Sequence, residues 1–359
     1  MYSKFKYLSI VFGCISILSC AQTEKEIIPQ TYVAYKTSED IIIDGKADEA
    51  VWKKAKWTNN FIDIEGDKTP TYQTNVKMLW DDKYYYIFAE MKEPHVWGDI
   101  TQRDAVIFYN NDFEVFIDPN GDTHNYYELE INALNTIWDL FLTKPYGMPG
   151  SKVLNNWDYS DLKSAINIEG TLNNPNDIDK GWTLEIAIPF KDFRRSRKIN
   201  NIPSNQFYRV NFSRVNWDFD LKNGKYSRKK DKRGKFLPEY NWVWSPMGVI
   251  NMHKPEKWGY VYFSSEEVGR NVTFEILKDE KIKWKLYELF HANRAFYKQN
   301  NRKATSICDL KKSKIIIDNN KIIPTLENHK FGWTISVQSP FTNHILSVKE
   351  DGLFTRKKI

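Results

Sequence analysis

Two segments of strictly alternating side chains, joined by a loop rich in oxygen atoms, constrain the fold more than any other feature of the sequence. In residues 112–118, positions 112, 114, 116 and 118 share one side, and the apolar positions 113, 115 and 117 share the other. Residues 126–133 continue the pattern, with Glu128, Glu130 and Asn132 on one side. Because successive strand side chains point to opposite faces, the pattern predicts a β-hairpin with one polar face. That face holds a ligand or simply faces solvent, and alternation alone leaves both interpretations open.

The amino terminus predicts export. Lys4 and Lys6 precede an apolar run from Tyr7 to Leu18, which is too short to span a membrane and is typical of a secretory signal. The sequence Ile17-Leu-Ser-Cys20 resembles a bacterial lipoprotein box. We therefore expect residues 1–20 to be a lipoprotein signal peptide and Cys20 to be lipidated. The protein would then be anchored in the cell envelope, in the outer membrane of a Gram-negative cell, by lipid alone.

Composition narrows the function classes. Aromatic residues make up 15% of the 359 residues, and the formal net charge is +6. The densest basic run, Ser227-Arg-Lys-Lys-Asp-Lys-Arg-Gly-Lys235, is typical of a solvated loop, and we expect no nucleic-acid partner. Cleavage before Cys20 would leave Cys20 and Cys308 as the remaining cysteines, so with Cys20 lipidated we predict no intrachain disulfide.

Strand patterns fill most of the chain and then give way to a helix. Short alternating segments separated by Gly, Pro, Asn and Asp turns predict a mainly β fold, an antiparallel β-sandwich of jelly-roll or immunoglobulin-like architecture, over residues 37–264. Residues 21–36 are predicted to be a tether. In residues 265–359, Asp279 to Gln299 has apolar side chains at helical intervals and is followed by strand-like segments. We expect this part to be a small α+β module, a helix on a small antiparallel sheet.

Several motifs, in order, resemble those of the carbohydrate-binding family 9-like proteins, the bacterial secreted lipoprotein type in particular. The resemblance covers roughly Thr37 to Phe263. Besides the hairpin, its motifs are Ile43-Asp-Gly-Lys-Ala-Asp-Glu-Ala-Val-Trp52, Leu79-Trp-Asp-Asp-Lys-Tyr-Tyr-Tyr86, Gly181-Trp-Thr-Leu-Glu-Ile-Ala-Ile-Pro-Phe190, Trp242-Val-Trp-Ser-Pro-Met-Gly248 and Pro255-Glu-Lys-Trp-Gly259. The resemblance implies a β-sandwich that binds polysaccharide or oligosaccharide between aromatic rings, with structural calcium in some members.

The polar sugar contacts that the resemblance implies lie on the hairpin. The family's glutamate matches Glu114, and its amide on the next strand matches Asn132. Both are forked groups that can take two adjacent sugar hydroxyls. The family's arginine on the second strand corresponds to Glu130, a departure that bears on which sugar is held.

The family's two stacking tryptophans have no exact counterpart. The first aligns near Phe108, with Trp97 further upstream, and the second aligns near Met252-His253. We take Trp97, Phe108 and His253 as candidates, together with Trp217 at the end of a strand. For Trp97, a role as a core residue stays open.

The hairpin loop carries a candidate metal site. Asp118, Asn120 and Asp122 present carboxylate and amide oxygens at alternating positions around a glycine, which are ligands that calcium prefers. An Asp-Pro-Asn-Gly turn explains the same residues without an ion. Both interpretations stay open.

The function follows mainly from the resemblance: carbohydrate binding by a surface-anchored lipoprotein, in support of polysaccharide capture or catabolism. Glu128 and Glu130 have a spacing on one strand near that of an inverting glycosidase pair, yet they would project from one side of a bond. We therefore assign no catalytic residue, and enzymatic hydrolysis of O-glycosyl bonds stays an alternative. The second alternative is a non-catalytic scaffold whose C-terminal module binds a protein partner. The sequence does not specify the glycan.

Overall fold

The computed structural model describes residues 27–196, 202–311 and 314–359, and most of its elements are strands. The strands, in chain order, are β1 (Thr31–Lys36), β2 (Ile62–Asp63), β3 (Thr74–Trp80), β4 (Tyr84–Lys92), β5 (Asp112–Asp118), β6 (Tyr126–Asn132), β7 (Ile137–Leu142), β8 (Val153–Leu154), β9 (Lys163–Glu169), β10 (Gly181–Pro189), β11 (Gln206–Asn216), β12 (Phe219–Lys222), β13 (Lys225–Arg228), β14 (Tyr240–Val243), β15 (Gly259–Glu267), β16 (Ile315–Ile317), β17 (Asn320–Ile322), β18 (Thr325–His329), β19 (Gly332–Gln338), β20 (His344–Lys349) and β21 (Phe354–Lys358). The α-helices are α1 (Ala50–Lys54) and α2 (Lys278–Asn300), and short 3-10 helices cover Ile107–Tyr109, Phe190–Arg195, Pro255–Lys257 and Ile307–Leu310.

The first fifteen strands, except the β12–β13 hairpin, form one continuous sheet that folds over on itself. Its order is β8-β7-β6-β5-β11-β15-β1-β3-β4-β10-β9, with β14 pairing with β11 and with β2. Side chains from opposite parts of the sheet, such as Val115 and Leu129 on one side and Ile87 and Leu184 on the other, share one buried core. The neighbours are antiparallel, except that β1 runs parallel to both β15 and β3. The predicted mainly β, antiparallel sandwich is confirmed.

The hairpin predicted from the alternation is the centre of one layer. Strands β5 and β6 pair in the register that places Glu114 opposite Glu130 and Asp112 opposite Asn132. Phe113, which alternates with these acids, points into the core and is fully buried. The polar face is also covered, because Asp112, Glu114 and Glu130 are 0%, 6% and 2% exposed. It is therefore not a solvent-facing sheet surface.

The predicted helix and small sheet both form. Helix α2 packs with the β16–β17 hairpin and the four-stranded sheet β18-β19-β20-β21 around a second hydrophobic cluster. This part contacts the sandwich through polar groups: the Lys283 ammonium donates to the Gly121 carbonyl, and His291 Nε2 lies 2.9 Å from Glu256 Oε1. Strand β15 continues to Glu267, past the boundary expected at residue 264. The two-module division stays a prediction.

One predicted segment needs correction. Residues 31–36, expected in the tether 21–36, form β1 between β15 and β3. Parallel pairing at that place leaves little local signal, because its partners lie far away in the chain. The predicted signal peptide, the lipidated Cys20 and residues 21–26 lie outside the described residues. None of the helices that the structure describes is long and apolar enough to cross a membrane.

Candidate functional site

A cleft of about 430 Å³ opens onto the polar face of the hairpin. Its floor consists of Glu114 on β5, Glu128 and Glu130 on β6, and Trp138 on β7. Glu130 is the cross-strand neighbour of both Glu114 and Trp138, so three strands present these side chains in one row. The remaining lining residues come from loops and neighbouring strands: Ile64, Phe108, Phe116, Leu140, Tyr146, Val153, Asn155, Val215, Glu239, Asn241, Ile250, Asn251, Met252 and His253.

Aromatic rings stand around this acidic floor. Phe108 lies next to the floor, because its backbone N–H donates to Glu130 Oε2 at 3.0 Å. His253 Nδ1 is hydrogen-bonded to the Tyr126 hydroxyl at 2.9 Å, and the ring of Tyr146 lies 4.9 Å from the His253 ring, centroid to centroid. Tyr146 is 60% exposed, which leaves much of its ring free. Burial lowers the pKa of His253 to about 4, so the imidazole is neutral at pH 7.

The acids on the cleft floor, and Asp112 beneath them, carry no compensating positive charge from the described residues. Burial, and then the negative charge of Glu239, raises the pKa of Glu114 to about 7. Burial and the charge of Glu114 raise the pKa of both Glu128 and Asp112 well above the usual range. The pKa of Glu130 is raised in the same way, by burial and by the charges of its acidic neighbours. In the part of the chain that the structure describes, no ion pair joins any of these carboxylates to a lysine or arginine.

Four of the seven predicted sugar-contacting residues meet in this cleft, namely Phe108, Glu114, Glu130 and His253. Asn132 lies elsewhere, and its amide is fully engaged. Its Nδ2 donates to Ile100 O and Asn110 Oδ1, and its Oδ1 accepts from the backbone N–H groups of Leu134 and Thr136. This side chain holds the turn after β6, with no free group for a ligand.

The two predicted tryptophans are also outside the cleft. Trp97 is 2% exposed and stacks on Tyr226, with a centroid distance of 6.1 Å and an interplanar angle of 9°. Trp217 is 5% exposed, and its Nε1 donates to Phe108 O at 2.7 Å. Both belong to one small hydrophobic cluster with Val215. Neither ring has an open face on which a sugar could stack.

Sequence reasoning missed several cleft residues. Trp138, Tyr146, Asn155, Glu239 and Asn241 line the cleft, and Glu128 had been placed on the polar side of the hairpin without a sugar-binding role. The alternation of β7 places Trp138 on the same side as Leu140. The sequence does not show that this side faces the cleft, because that follows only from the pairing of Trp138 with Glu130. The others lie in loops or on distant strands and have no local signal.

The loop predicted to bind calcium has its oxygens occupied. Asp118 Oδ1 and Oδ2 accept from the N–H groups of Gly121 and Thr123, at 2.9 and 2.8 Å. Asp122 Oδ1 accepts from His124 N, and its Oδ2 accepts from Asn120 Nδ2 at 2.7 Å. These bonds describe the Asp-Pro-Asn-Gly turn that was the alternative interpretation. Calcium at Asp118, Asn120 and Asp122 stays a prediction.

Curated relatives match part of the chain. An endo-1,4-beta-xylanase C from Paenibacillus barcinonensis is 34% identical over 86 residues, which is 24% of this chain and 7% of the relative. An exoglucanase XynX from Acetivibrio thermocellus is 37% identical over 101 residues, which is 27% of this chain and 8% of the relative. The chain thus spans less than a tenth of the length of these two relatives.

Solved structures include a carbohydrate binding module family 9 from Caldicellulosiruptor kristjanssonii in complex with cellotriose. It has 15% sequence identity and a TM-score of 0.42, over 69% of this chain and 100% of the module. A carbohydrate binding module family 9 from the same organism in complex with glucose has 16% identity and a TM-score of 0.41, over 67% of this chain and 100% of that module. The family model described as carbohydrate family 9 binding domain-like matches residues 43–218, which include strands β2 to β11 and the floor of the cleft. Residues 43–218 therefore belong to the carbohydrate family 9 binding domain-like family, as the sequence motifs predicted.

Proposed function

We propose that this protein binds carbohydrate in the cleft above β5, β6 and β7. The observation that carries the proposal is the position of Glu114, a forked group on a rigid strand, among the aromatic side chains of Phe108, Trp138 and Tyr146. A sugar ring has apolar C–H faces and a rim of hydroxyls, so its recognition needs both stacking surfaces and forked hydrogen-bonding groups. The cleft supplies the two together.

The arrangement of the acids favours binding over hydrolysis. Glu114 and Glu130 are cross-strand neighbours, and Glu128 follows on the same side of β6. All three would approach a ligand from the floor. Glycosidases that use a pair of carboxyls place them on the two sides of the scissile bond. We therefore propose no catalytic residue.

The family and the relatives support a polysaccharide as the ligand class. Residues 43–218 match a family that is named for carbohydrate binding, and two relatives are named as an endo-1,4-beta-xylanase and an exoglucanase. The segment shared with them is a small part of each relative. We infer that this segment binds a polysaccharide or oligosaccharide, in support of its capture or catabolism.

The lipoprotein box supports a location at the cell envelope. Lipidation at Cys20 would hold the cleft at a membrane surface without a spanning segment. Labelling of cells with a radioactive or clickable fatty acid tests this. Label should appear in the wild-type protein and be absent from Cys20→Ala, and equal label in both proteins would refute the anchor.

The binding test is a glycan array with the chain from Thr23 onward, followed by calorimetry on any ligand found. Glu114→Leu keeps most of the side-chain volume but removes both oxygens, so we expect affinity to fall at least about ten-fold, by the loss of about 1.4 kcal/mol. The matched control is Glu327→Gln, which changes an exposed acid on β18. Unchanged affinity in Glu114→Leu would refute this cleft as the site.

The same array distinguishes the alternatives. Release of reducing ends from a bound glycan would revive the glycosidase interpretation. No binding to any glycan would favour the scaffold, with the C-terminal module as its protein-binding part.

A further inference from the structure

Three buried carboxylates, two on the floor of the cleft and one beneath it, face one another at short range. Asp112, Glu114 and Glu130 each offer a carboxylate oxygen, and these oxygens all lie within 4.8 Å of one another. Their exposed fractions are 0%, 6% and 2%. Buried ionised carboxylates cost several kcal/mol each unless a positive charge or hydrogen-bond donors compensate them. Either protons or a positive charge from outside the chain must therefore compensate this cluster.

Oxygens in and beside the cluster have no hydrogen-bond partner. Within the described ranges of the chain, no well-formed hydrogen bond reaches either carboxylate oxygen of Asp112 or Glu128 Oε2, although the nearby Val215 N–H lowers the pKa of Asp112. A buried acceptor that is left unpaired carries its full desolvation penalty. Asp112 therefore points to an occupant that supplies positive charge or donors.

A second group of acids in the sandwich shows the contrast. Asp104, Asp139 and Asp158 also bring carboxylate oxygens within 4.8 Å of one another. There the guanidinium of Arg103 lies among them, with Nη2 at 2.5 Å from Asp139 and 2.7 Å from Asp158. The chain thus compensates that group by itself. At the cleft floor it has placed Glu130 where the family resemblance implies an arginine.

The burial of Asp112 restricts the size of the occupant. Asp112 is fully buried and does not line the cleft, whereas Glu114 and Glu130 do. An amino group on a sugar ring could reach the two glutamates but not the aspartate beneath them. A bare ion could reach all three. The separation suits one ion, because calcium–oxygen distances of about 2.3–2.6 Å allow two ligands on opposite sides of an ion to lie about 5 Å apart.

We propose that Asp112, Glu114 and Glu130 bind a divalent cation, Ca²⁺, at the floor of the cleft. The oxygen-only ligand set suits a hard cation, and Ca²⁺ tolerates irregular geometry where Mg²⁺ demands a regular octahedron. The ion cancels two negative charges and fixes the two glutamates on the side that a ligand meets. A sugar then meets an ordered carboxylate pair, or the ion itself, and this last step rests on the carbohydrate binding proposed above.

The test compares thermal unfolding and calcium calorimetry on the protein after chelator treatment, for the wild type and two isosteric variants, Glu130→Gln and Asp112→Asn. We expect Ca²⁺ to bind the wild type and raise its unfolding temperature by several degrees, because a ligand that binds only the folded state stabilises it. In Glu130→Gln the calcium affinity should fall at least ten-fold. In chelator, Glu130→Gln should unfold at the same temperature as the wild type or at a higher one, because the variant has one buried acid fewer.

The control is Asp104→Asn in the acid group that Arg103 already compensates, and it should keep the full calcium response. A calcium response that disappears in Asp122→Asn and persists in Glu130→Gln would place the ion in the hairpin loop and overturn the proposal. No response in the wild type would overturn it too. Because Glu130→Gln should be folded in chelator, a loss of its calcium response cannot be attributed to misfolding.

A repeat of the glycan array in calcium and in chelator separates this proposal from the function. Calcium binding without any glycan binding would leave the ion site standing and remove the function. Glycan binding without calcium binding would refute the ion site and leave the proposed function standing. Preference for amino sugars in chelator, lost in Glu130→Gln, would assign the cluster to a ligand ammonium group and overturn the ion.

Discussion

Replacing Trp97 with alanine should destabilise the sandwich and leave the sugar affinity of the folded protein unchanged. The ring is 2% exposed, stacks on Tyr226, and belongs to the cluster that contains Val215 and Trp217. Truncation of a buried tryptophan costs about 3–5 kcal/mol, which combines lost transfer free energy with an unfilled cavity. Since domains are stable by only about 5–15 kcal/mol, that is a large share of the total.

Urea unfolding followed by far-ultraviolet circular dichroism gives the free energy of unfolding, and calorimetry with the array ligand gives the affinity. Trp97→Phe is the graded control. It keeps an aromatic ring and removes an indole N–H that has no acceptor among the described residues, so we expect a loss of about 1.5 kcal/mol or less. Trp138→Ala, in the cleft, should show the opposite balance, with a smaller loss of stability and at least about a ten-fold loss of affinity.

One result would refute this reasoning. If Trp97→Ala kept its unfolding free energy within about 1 kcal/mol of the wild type but lost glycan binding, the ring would be a stacking surface after all. The burial of Trp97 in the free protein would then have to open when the ligand arrives.

Four other variants test the site and the packing around it. Tyr146→Ala should change the unfolding free energy by less than about 0.5 kcal/mol, because the ring is 60% exposed, while calorimetry shows about a five- to ten-fold weaker affinity. The folded-state pKa of His253, about 4, lies below its unfolded value near 6.5, so this residue contributes stability above pH 6.5 that is lost as the pH falls towards 4. Because His253 is partly exposed, we expect its share between pH 7 and 5 to be about 1 kcal/mol in urea titrations, and His253→Gln should remove it. Glu93→Gln removes the charge 3.2 Å from the fully buried Arg214 and should cost about 3–5 kcal/mol, measured by chemical denaturation; a loss below 1 kcal/mol would contradict the pair's importance. Lys283→Met removes a buried ammonium from the hairpin loop and should cost a similar amount, and a rise of its melting temperature in millimolar Ca²⁺ that exceeds the rise of the wild type would show that the loop can take an ion in place of the lysine.

Strand alternation predicted the layer that carries the site. The bounds of β5 match the predicted segment, Asp112 to Asp118, and the predicted helix agrees with α2 to within one residue at each end. These elements have strong period-2 or helical patterns of their own. The segment 31–36 was missed because its place in the sheet depends on parallel pairing with β15, more than two hundred residues away in the chain.

The candidate site, like the fold, could be predicted from the sequence only in part. Glu114 and Glu130 could be predicted to share one face because a strand fixes which way its side chains point, and their pairing across the strands follows from the hairpin. Trp97 and Trp217 lie outside the cleft because a ring can turn inward, and only the packing around Tyr226 decides its direction. Sequence position near a family motif carries no information on that packing.

The two acidic places on this hairpin are compensated differently, and the difference supports the division of roles proposed above. At the loop, four carboxylate oxygens accept hydrogen bonds from nearby donors, and the Lys283 ammonium lies against the Gly121 carbonyl, so the chain itself stabilises the turn. Beneath the cleft floor, no well-formed hydrogen bond from the described residues reaches either carboxylate oxygen of Asp112, and on the floor Glu114 and Glu130 face each other across the strand pair. A like-charged pair directly opposite on a sheet destabilises the free protein. This unfavourable electrostatic free energy is concentrated where the cleft opens to solvent. Functional sites are where proteins depart from the local rules of stability. We therefore expect the compensating group to be a ligand that binds from solution.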